Sequence, residues 1–253
     1  MNFVLFLFLI FNATLIAHNF DYSAQLGART RPQGASLMGS SGYNYKVWGD
    51  SNNGNFVYGY LRPFTNLSTS GVVNSGELGL DLYPISIFGI TSSYKITDRL
   101  IDIDHLSCDQ IRCMGTTGKL LFRSNLILGY KDYFLVFLES FENQKIFGSQ
   151  NQNFGDEYSV LTAHSIGDWL QTSQLILGLK INSQYQAGLI FDYENMKITN
   201  DQSEMQATFI KKSFADTWSI LIGAGAYKSD HFQRNFTGFF LLSWNGKTGL
   251  SLF

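Results

Sequence analysis

The stretch His18–Arg29, HNFDYSAQLGAR, alternates between two kinds of side chain. Its apolar or aromatic positions are Phe20, Tyr22, Ala24, Leu26 and Ala28, and the positions between them are polar or small. Side chains on a β-strand point to opposite faces with a period of two, so the pattern predicts a strand with one apolar and one wet face. Either face could line the interior, and the rest of the chain must decide between them.

Similar alternation recurs along the chain, for example over residues 72–82, 119–128, 184–193 and 218–226. The chain holds about twelve such segments of roughly 9–14 residues, with ten or fourteen as alternatives. The uncertain regions are 157–181, which is too long for one strand, and 235–253, where Asn245-Gly246 could form a hairpin. No helical period appears, and 24 Gly with only 3 Pro suit a β-protein with many turns. The fold predicted is all-β, in one domain over residues 18–253.

The first residues, MNFVLFLFLIFNATLIA, differ from this pattern. The apolar run from Phe3 to Phe11 is too short for a transmembrane helix and is followed by a short segment ending in Ala17. We therefore expect residues 1–17 to be a secretory signal peptide. Export agrees with the two cysteines, Cys108 and Cys113, which are too few for a structural zinc site and are predicted to form a disulfide in an oxidising compartment.

The composition excludes some classes of function. The net charge is −2 and the pI is about 6.1, so the chain lacks the basic footprint of a nucleic-acid-binding protein. No Gly-rich phosphate motif and no His-Glu-x-x-His metal motif occurs. We expect no nucleic acid, no cofactor and no metal.

Two architectures can shield an apolar strand face of period two from water. A soluble sandwich or barrel buries that face inside, whereas a membrane barrel turns it toward lipid and keeps the polar face in its lumen. The polar faces here carry many full charges, and aromatic residues lie near the ends of the apolar faces, as in interfacial girdles. Longer and shorter predicted connections also alternate: the longer ones lie near 30–41, 65–70, 97–115, 143–156, 194–203 and 229–234, and the tight ones near 50–54, 84–85, 130–132 and 213–216. These features favour the membrane barrel.

The end of the chain supports the same conclusion. It reads NFTGFFLLSWNGKTGLSLF and finishes at Phe253. This segment resembles the closing strand of Gram-negative outer-membrane β-barrel proteins, which typically ends in Phe. The resemblance implies a multi-pass barrel in the outer membrane, contact with outer-membrane lipid, and recognition of Phe253 by the barrel assembly machinery. It leaves the oligomeric state open.

The polar faces then become the lining of a lumen. The charged residues that we predict to line it are Arg29, Lys46, Arg62, Glu77, Asp81, Lys119, Arg123, Glu139, Lys180 and Asp192. In a hydrated pore these charges tune a channel for small hydrophilic solutes or ions, and a basic pair, Lys119 and Arg123, would face an acidic pair, Glu77 and Asp81. In a narrow barrel they would pair and plug the interior, which leaves a structural or adhesive protein.

An outer-membrane hydrolase is the remaining alternative. Asp102, Asp104 and His105 partly resemble the paired aspartates of omptin proteases, and His164 with Ser165 suggest the His and Ser of outer-membrane phospholipase A. Omptins also carry a separate Asp-x-His motif, for which the only late candidate here is the adjacent pair Asp230-His231. His164 and Ser165 are likewise adjacent, and adjacent residues on a strand point to opposite faces, so neither spacing fits its template. A channel is therefore the function predicted, with the hydrolase and the plugged barrel as alternatives.

Overall fold

The structure, a computed structural model, describes residues 19–49, 57–102, 108–109, 111–148, 152–214 and 217–247. The predicted signal peptide and Phe253 lie outside these ranges. Within them, no helix is long and apolar enough to cross a membrane.

The described residues form fifteen strands in chain order. They are β1 (Phe20–Thr30), β2 (Gln33–Tyr43), β3 (Tyr45–Gly49), β4 (Tyr58–Thr69), β5 (Val73–Ile85), β6 (Phe88–Arg99), β7 (Gly115–Tyr130), β8 (Tyr133–Ile146), β9 (Phe154–Gly155), β10 (Thr162–Ala163), β11 (Asp168–Lys180), β12 (Tyr185–Met196), β13 (Gln202–Phe214), β14 (Trp218–Ser229) and β15 (Phe232–Lys247).

All strands except β9 and β10 belong to one antiparallel sheet that closes on itself. The first and last strands pair, with Leu26 opposite Leu242, and β2 pairs with β4. Strands β2 and β3 occupy a single position in the sheet, interrupted at Asn44, and both pair with β4. The result is a closed barrel of twelve strands, which confirms the predicted fold class and strand number.

The register separates an inner from an outer face. Arg62, Asp81 and Thr91 lie side by side on β4, β5 and β6 and are largely withdrawn from solvent. The alternate positions are apolar and exposed, such as Leu78 and Ile222 at 68% and 57% exposure. Such large exposed side chains would be costly in water, so the apolar face is the outer one and the polar face lines the lumen.

The barrel has two distinct ends. We call the end where β1 begins and β15 finishes the terminal end, and the opposite end the loop end. The loop end carries the connections 31–32, 70–72, 100–114, 147–167, 197–201 and 230–231. Two connections that the sequence predicted to be long, near 30–41 and 229–234, are two-residue turns. Residues 157–181 divide into a loop and β11, and Asn245-Gly246 lies within β15.

Aromatic side chains gather at the terminal end of the outer face. The rings of Tyr22 and Trp244 lie 5.7 Å apart, and those of Trp218 and Trp244 lie 6.3 Å apart. Phe20 extends the row beside Tyr22 at 6.1 Å. Amphipathic rings of this kind are typical of the boundary between an apolar belt and water.

Candidate functional site: a lumen crossed by a loop

The connection of residues 147–167 is here called the crossing loop, and its described part from residue 152 onward folds back into the barrel. Its Phe154, Leu161 and Ala163 have no measurable exposure. They form an apolar cluster with residues of the barrel wall, among them Leu170 and Met196. Burial of these side chains stabilises the inward position of the loop. The loop therefore occupies part of the lumen at the loop end.

A buried cation on the wall holds the crossing loop. The Nζ atom of Lys119 on β7 lies 2.5 Å from Oδ2 of Asp156 and 2.7 Å from Oε1 of Glu157, both in the loop. Glu142 on β8 is the third carboxylate, at 3.3 Å. Burial alone would raise the pKa of Asp156, but the Lys119 ammonium and hydrogen bonds from Ser159 lower it well below its usual range. Asp156 therefore stays ionised, and its ion pair with Lys119 persists in acid.

Other strands hold the same loop from different sides. The hydroxyl of Tyr227 on β14 donates to the carbonyl of Ser159 at 2.9 Å. Arg29 on β1 donates to the carbonyl of Tyr158, and Lys95 on β6 lies 4.0 Å from the centre of the Tyr158 ring. Since these strands surround the lumen, the loop spans it and forms its constriction.

The disulfide predicted between Cys108 and Cys113 is present, with Cα atoms 5.5 Å apart. Cys113 packs against Val160 of the crossing loop. The neighbouring Arg112 binds the loop through its backbone, donating to Asn153 at 2.8 Å. The disulfide therefore packs against the crossing loop at the loop end of the barrel. Asp102 lies close to both sulfur atoms, but disulfide sulfurs are not thiolate ligands, and this group is no metal site.

Two aspartates bind the crossing loop to other connections at the loop end. Oδ1 of Asp168 accepts from the backbone of Ile198 at 2.9 Å, and Oδ2 accepts from the backbone of His164 at 3.2 Å. Oδ2 of Asp201 accepts from the backbone of Thr162 at 2.7 Å and lies 2.6 Å from Nε2 of His231. Three connections, 147–167, 197–201 and 230–231, are joined through these carboxylates.

The pair of Asp201 and His231 predicts a pH dependence of thermal stability. The hydrogen bond to Asp201 raises the pKa of His231 above its value in the unfolded chain. The stabilisation of the folded state by this pair is therefore complete below the unfolded pKa of about 6.5 and is lost as the pH rises through the folded pKa. Burial raises the pKa of Asp201, but its bonds from His231 and Thr162 lower it overall, so its contribution is full above about pH 3.9 and is lost in stronger acid.

We therefore expect a plateau of stability between about pH 4 and 6.5, and a loss of about 1 kcal/mol on raising the pH to about 8.5. The measurement is the temperature at which the folded form disappears in heat-modifiability gels. His231→Gln should abolish the loss. The control His164→Gln should retain it, because the imidazole of His164 contacts no carboxylate among the described side chains. An unchanged pH profile in His231→Gln would contradict the assignment.

A partly open cavity remains beside the crossing loop. A cavity of about 590 Å³ runs from Asp102 at the loop end to Leu241 within the lumen. Its wall on β1, β2 and β4 is built of small residues, including Gly27, Ser36 and Ser68. Tyr158 of the crossing loop faces this wall. The small side chains leave the space that the loop does not fill.

Nearer the terminal end, charges are paired along the wall. Arg62 bonds to Asp81 at 2.9 Å and, through two nitrogens, to Asp21 at 2.6 and 2.8 Å. To reach β1 it crosses β2 at Gly42, where a Cβ atom would lie 2.5 Å from Nε of Arg62. The guanidinium therefore lies along the wall and leaves the centre of the lumen free.

The structure places most of the predicted lining residues on the inner face: Arg29, Arg62, Glu77, Asp81, Lys119, Arg123, Lys180 and Asp192. Lys46 lies on β3 opposite Tyr60. Glu139 differs from the prediction. It lies opposite Ser124 and on the outer face, where it accepts from Gln171 at 2.6 Å and Ser173 at 2.5 Å. Strand β8 is apolar on both faces, so alternation could not assign its sides.

The expected arrangement of two opposed charge ladders is also absent. Strand β6 alone separates β5, with Glu77 and Asp81, from β7, with Lys119 and Arg123, so the two pairs share one wall. Glu77 accepts from Asn66 at 3.0 Å and Ser93 at 2.6 Å, and the cation opposite it is Lys95 on β6 rather than Lys119 or Arg123.

Several residues of the inner face and the crossing loop were not predicted from the sequence: Lys95, Arg99, Glu142, Asp156, Glu157, Tyr158 and Glu194. Lys95 and Arg99 share the inner face of β6 with Thr91, Ser93 and Thr97, and the alternation there could have revealed them. Asp156 and Glu157 lie in a loop without a period, and no local signal marks their position.

Those candidate catalytic residues that the structure describes do not assemble into a site. Asp104 and His105 lie outside the described residues, and Asp102 is exposed at the rim of the cavity. Nδ1 of His164 accepts from the backbone of Ile166 at 3.4 Å. Among the described contacts, the hydroxyl of Ser165 has no hydrogen bond to His164, so no nucleophile and base are paired here.

Comparison with known proteins gives a likeness of fold. No protein-family model and no curated protein sequence matches the chain. The KdgM porin is 8% identical over 88% of this chain and 98% of its own, with a TM-score of 0.45. The NanC porin is 10% identical over 90% and 100%, with a TM-score of 0.44, and the β domain of the Bordetella autotransporter BrkA is 9% identical over 90% and 98%, with a TM-score of 0.48. Such matches are outer-membrane β-barrels, and no specific family is shown.

Proposed function

We propose that the protein is an outer-membrane channel for small solutes, constricted at the loop end by the crossing loop. The observation that carries this proposal is the cavity of about 590 Å³ between Tyr158 and the small residues of β1, β2 and β4. A barrel built only to be filled would place larger side chains on that wall. Weak charge selectivity would arise from the free charges of the lumen.

Several features support the membrane location. The outer face carries a continuous set of exposed apolar side chains and an aromatic row at the terminal end. The closing segment ending at Phe253 supports recognition by the barrel assembly machinery, and the apolar residues 1–17 support export. In this location the loop end faces outward and the short turns face the periplasm.

Arg123 is the residue that tests the channel. It lies on the inner face, is exposed, and forms no ion pair among the described residues. Its charge therefore acts on passing ions. We expect discrete conductance steps in planar lipid bilayers, and a shift of the reversal potential toward cation selectivity in Arg123→Glu.

The matched control is Lys131→Glu, which makes the same charge change in the turn between β7 and β8. It should leave the selectivity close to that of the unaltered protein. Conductance with equal selectivity in all three proteins would show that Arg123 does not face the ion path.

The plugged barrel is the second candidate function, favoured by the buried contacts of Lys119 with Asp156 and Glu157. If those contacts never open and the cavity beside the loop is too narrow, the barrel serves to display its loops. A folded, heat-modifiable barrel without any conductance would support this second function over the channel.

A further inference from the structure

The lumen has two chemically different walls. The inner face of β1–β6 is polar at most positions, as in Asp81, Thr91 and Ser93. The inner face of β13–β15 carries Phe209, Leu221, Phe239 and Leu241 instead. We call these four residues the apolar arc, and Lys211 on β13 lies at its end, opposite Leu221. A lumen serving only hydrophilic solutes gains nothing from such a surface, since apolar side chains form no hydrogen bonds with a polar solute and their exposure to water is unfavourable.

The aromatic residues of the arc lie against the wall. A Cβ atom at Gly223 would lie within 3 Å of three ring atoms of Phe239, and one at Gly188 would meet the ring of Phe209 in the same way. The rings therefore cover glycines of neighbouring strands instead of projecting across the lumen. This packing gives a smooth apolar surface and keeps space in front of it.

The arc adjoins the partly open cavity. Phe239 and Leu241 line the cavity beside the crossing loop. Leu241 lies opposite Leu221, which lies opposite Lys211, so one row of side chains leads from the cavity to a lysine. Phe239 lies opposite Arg29, the cation at the mouth of the cavity.

Lys211 has no partner among the described residues. It forms neither an ion pair nor a side-chain hydrogen bond, and the inner-face neighbour across β12 is the neutral Gln186. The inner-face acids nearest along β12, Asp192 and Glu194, lie toward the loop end. An unpaired cation beside apolar side chains matches a solute with an anionic group and an apolar body.

We propose that the channel selects amphipathic anions, whose apolar part contacts Phe209, Leu221, Phe239 and Leu241 while the anionic group pairs with Lys211. This inference rests on the proposed channel function and names its substrate class. It differs from simple anion selectivity, because the apolar body is expected to contribute as much as the charge.

The test compares two sulfonates of equal charge, 1-naphthalenesulfonate and methanesulfonate, as blockers of the KCl conductance. We expect naphthalenesulfonate to block at a lower concentration than methanesulfonate. Lys211→Gln and Leu241→Ser should each weaken the block by naphthalenesulfonate about fivefold, as expected for one partly exposed ion pair or one apolar contact. Lys212→Gln, at the next position on the outer face of β13, is the control and should not change it.

Calorimetric binding of naphthalenesulfonate to the detergent-solubilised barrel gives a second measurement. If the protein conducts but both sulfonates block equally, the inference is overturned while the channel stands. If the protein does not conduct but Lys211→Gln still weakens binding, the inference stands as a binding site and the channel function fails. If the protein does not conduct and Lys211→Gln binds naphthalenesulfonate as the unaltered protein does, both the inference and the channel function are overturned.

Discussion

Lys119→Met is expected to release the crossing loop from the lumen and to raise the single-channel conductance several-fold. Lys119 is 1% exposed, and its ammonium neutralises part of the charge of Glu142, Asp156 and Glu157. Without it, three carboxylates would share one buried region, and moving the loop into water is the simplest way to separate them. We also expect a loss of stability of about 3–5 kcal/mol, the range for removing one partner of a buried ion pair.

Two further variants separate charge from packing. Lys145→Met removes an exposed lysine from the outer face of β8 and should change neither conductance nor stability. Adding Asp156→Asn and Glu157→Gln to Lys119→Met removes the repulsion and should restore part of the stability. If Lys119→Met conducts like the unaltered protein and remains equally resistant to heat, the crossing loop is not held by this cation.

Arg62→Met is expected to lower stability by about 3 kcal/mol, because it leaves Asp21 and Asp81 as two unpaired, largely buried carboxylates. The measurement is the temperature at which the folded band disappears in heat-modifiability gels. The stability of Arg62→Lys should lie between that of Arg62→Met and that of the unaltered protein. The lysine ammonium keeps the charge but lacks the forked guanidinium that reaches both carboxylates.

Two comparisons sharpen this prediction. Arg234→Met removes an exposed arginine that donates one hydrogen bond to Gln206, and it should have little effect. Gly42→Val should resemble Arg62→Met, because a side chain there would occupy the space of the guanidinium. A stable Gly42→Val protein would show that Arg62 can pair with its carboxylates by another route.

The strands could be predicted where their two faces meet different surroundings. β1 and β5 alternate clearly, because one face meets water and charges while the other is apolar. β8 is apolar on both faces, since part of its inner face, at Phe134 and Val136, is also apolar. Alternation then carries no information on direction, and Glu139 was assigned to the wrong face.

The constriction lay beyond sequence reasoning for a different reason. Lys119 and Asp156 meet because a loop turns inward, and no period or local motif relates the two positions. β2 was also difficult, since Gly34, Gly39 and Gly42 with several serines suggested a loop. Gly42 is needed as room for a long side chain from the neighbouring β4, a requirement that exists only in the folded barrel.

The pairing of β1 with β15 determines how the protein must assemble. The seam joins Tyr22 to Lys247, so the first and last strands must both be present before the sheet can close. Until then both would be open edges with unpaired N–H and C=O groups, which are costly in lipid and prone to pair with other chains. Closure over so long a separation is intrinsically slow. Pairing of β1 with β15 is therefore the step that closes the barrel. A chain broken within β15 would yield an aggregating open sheet rather than a smaller barrel.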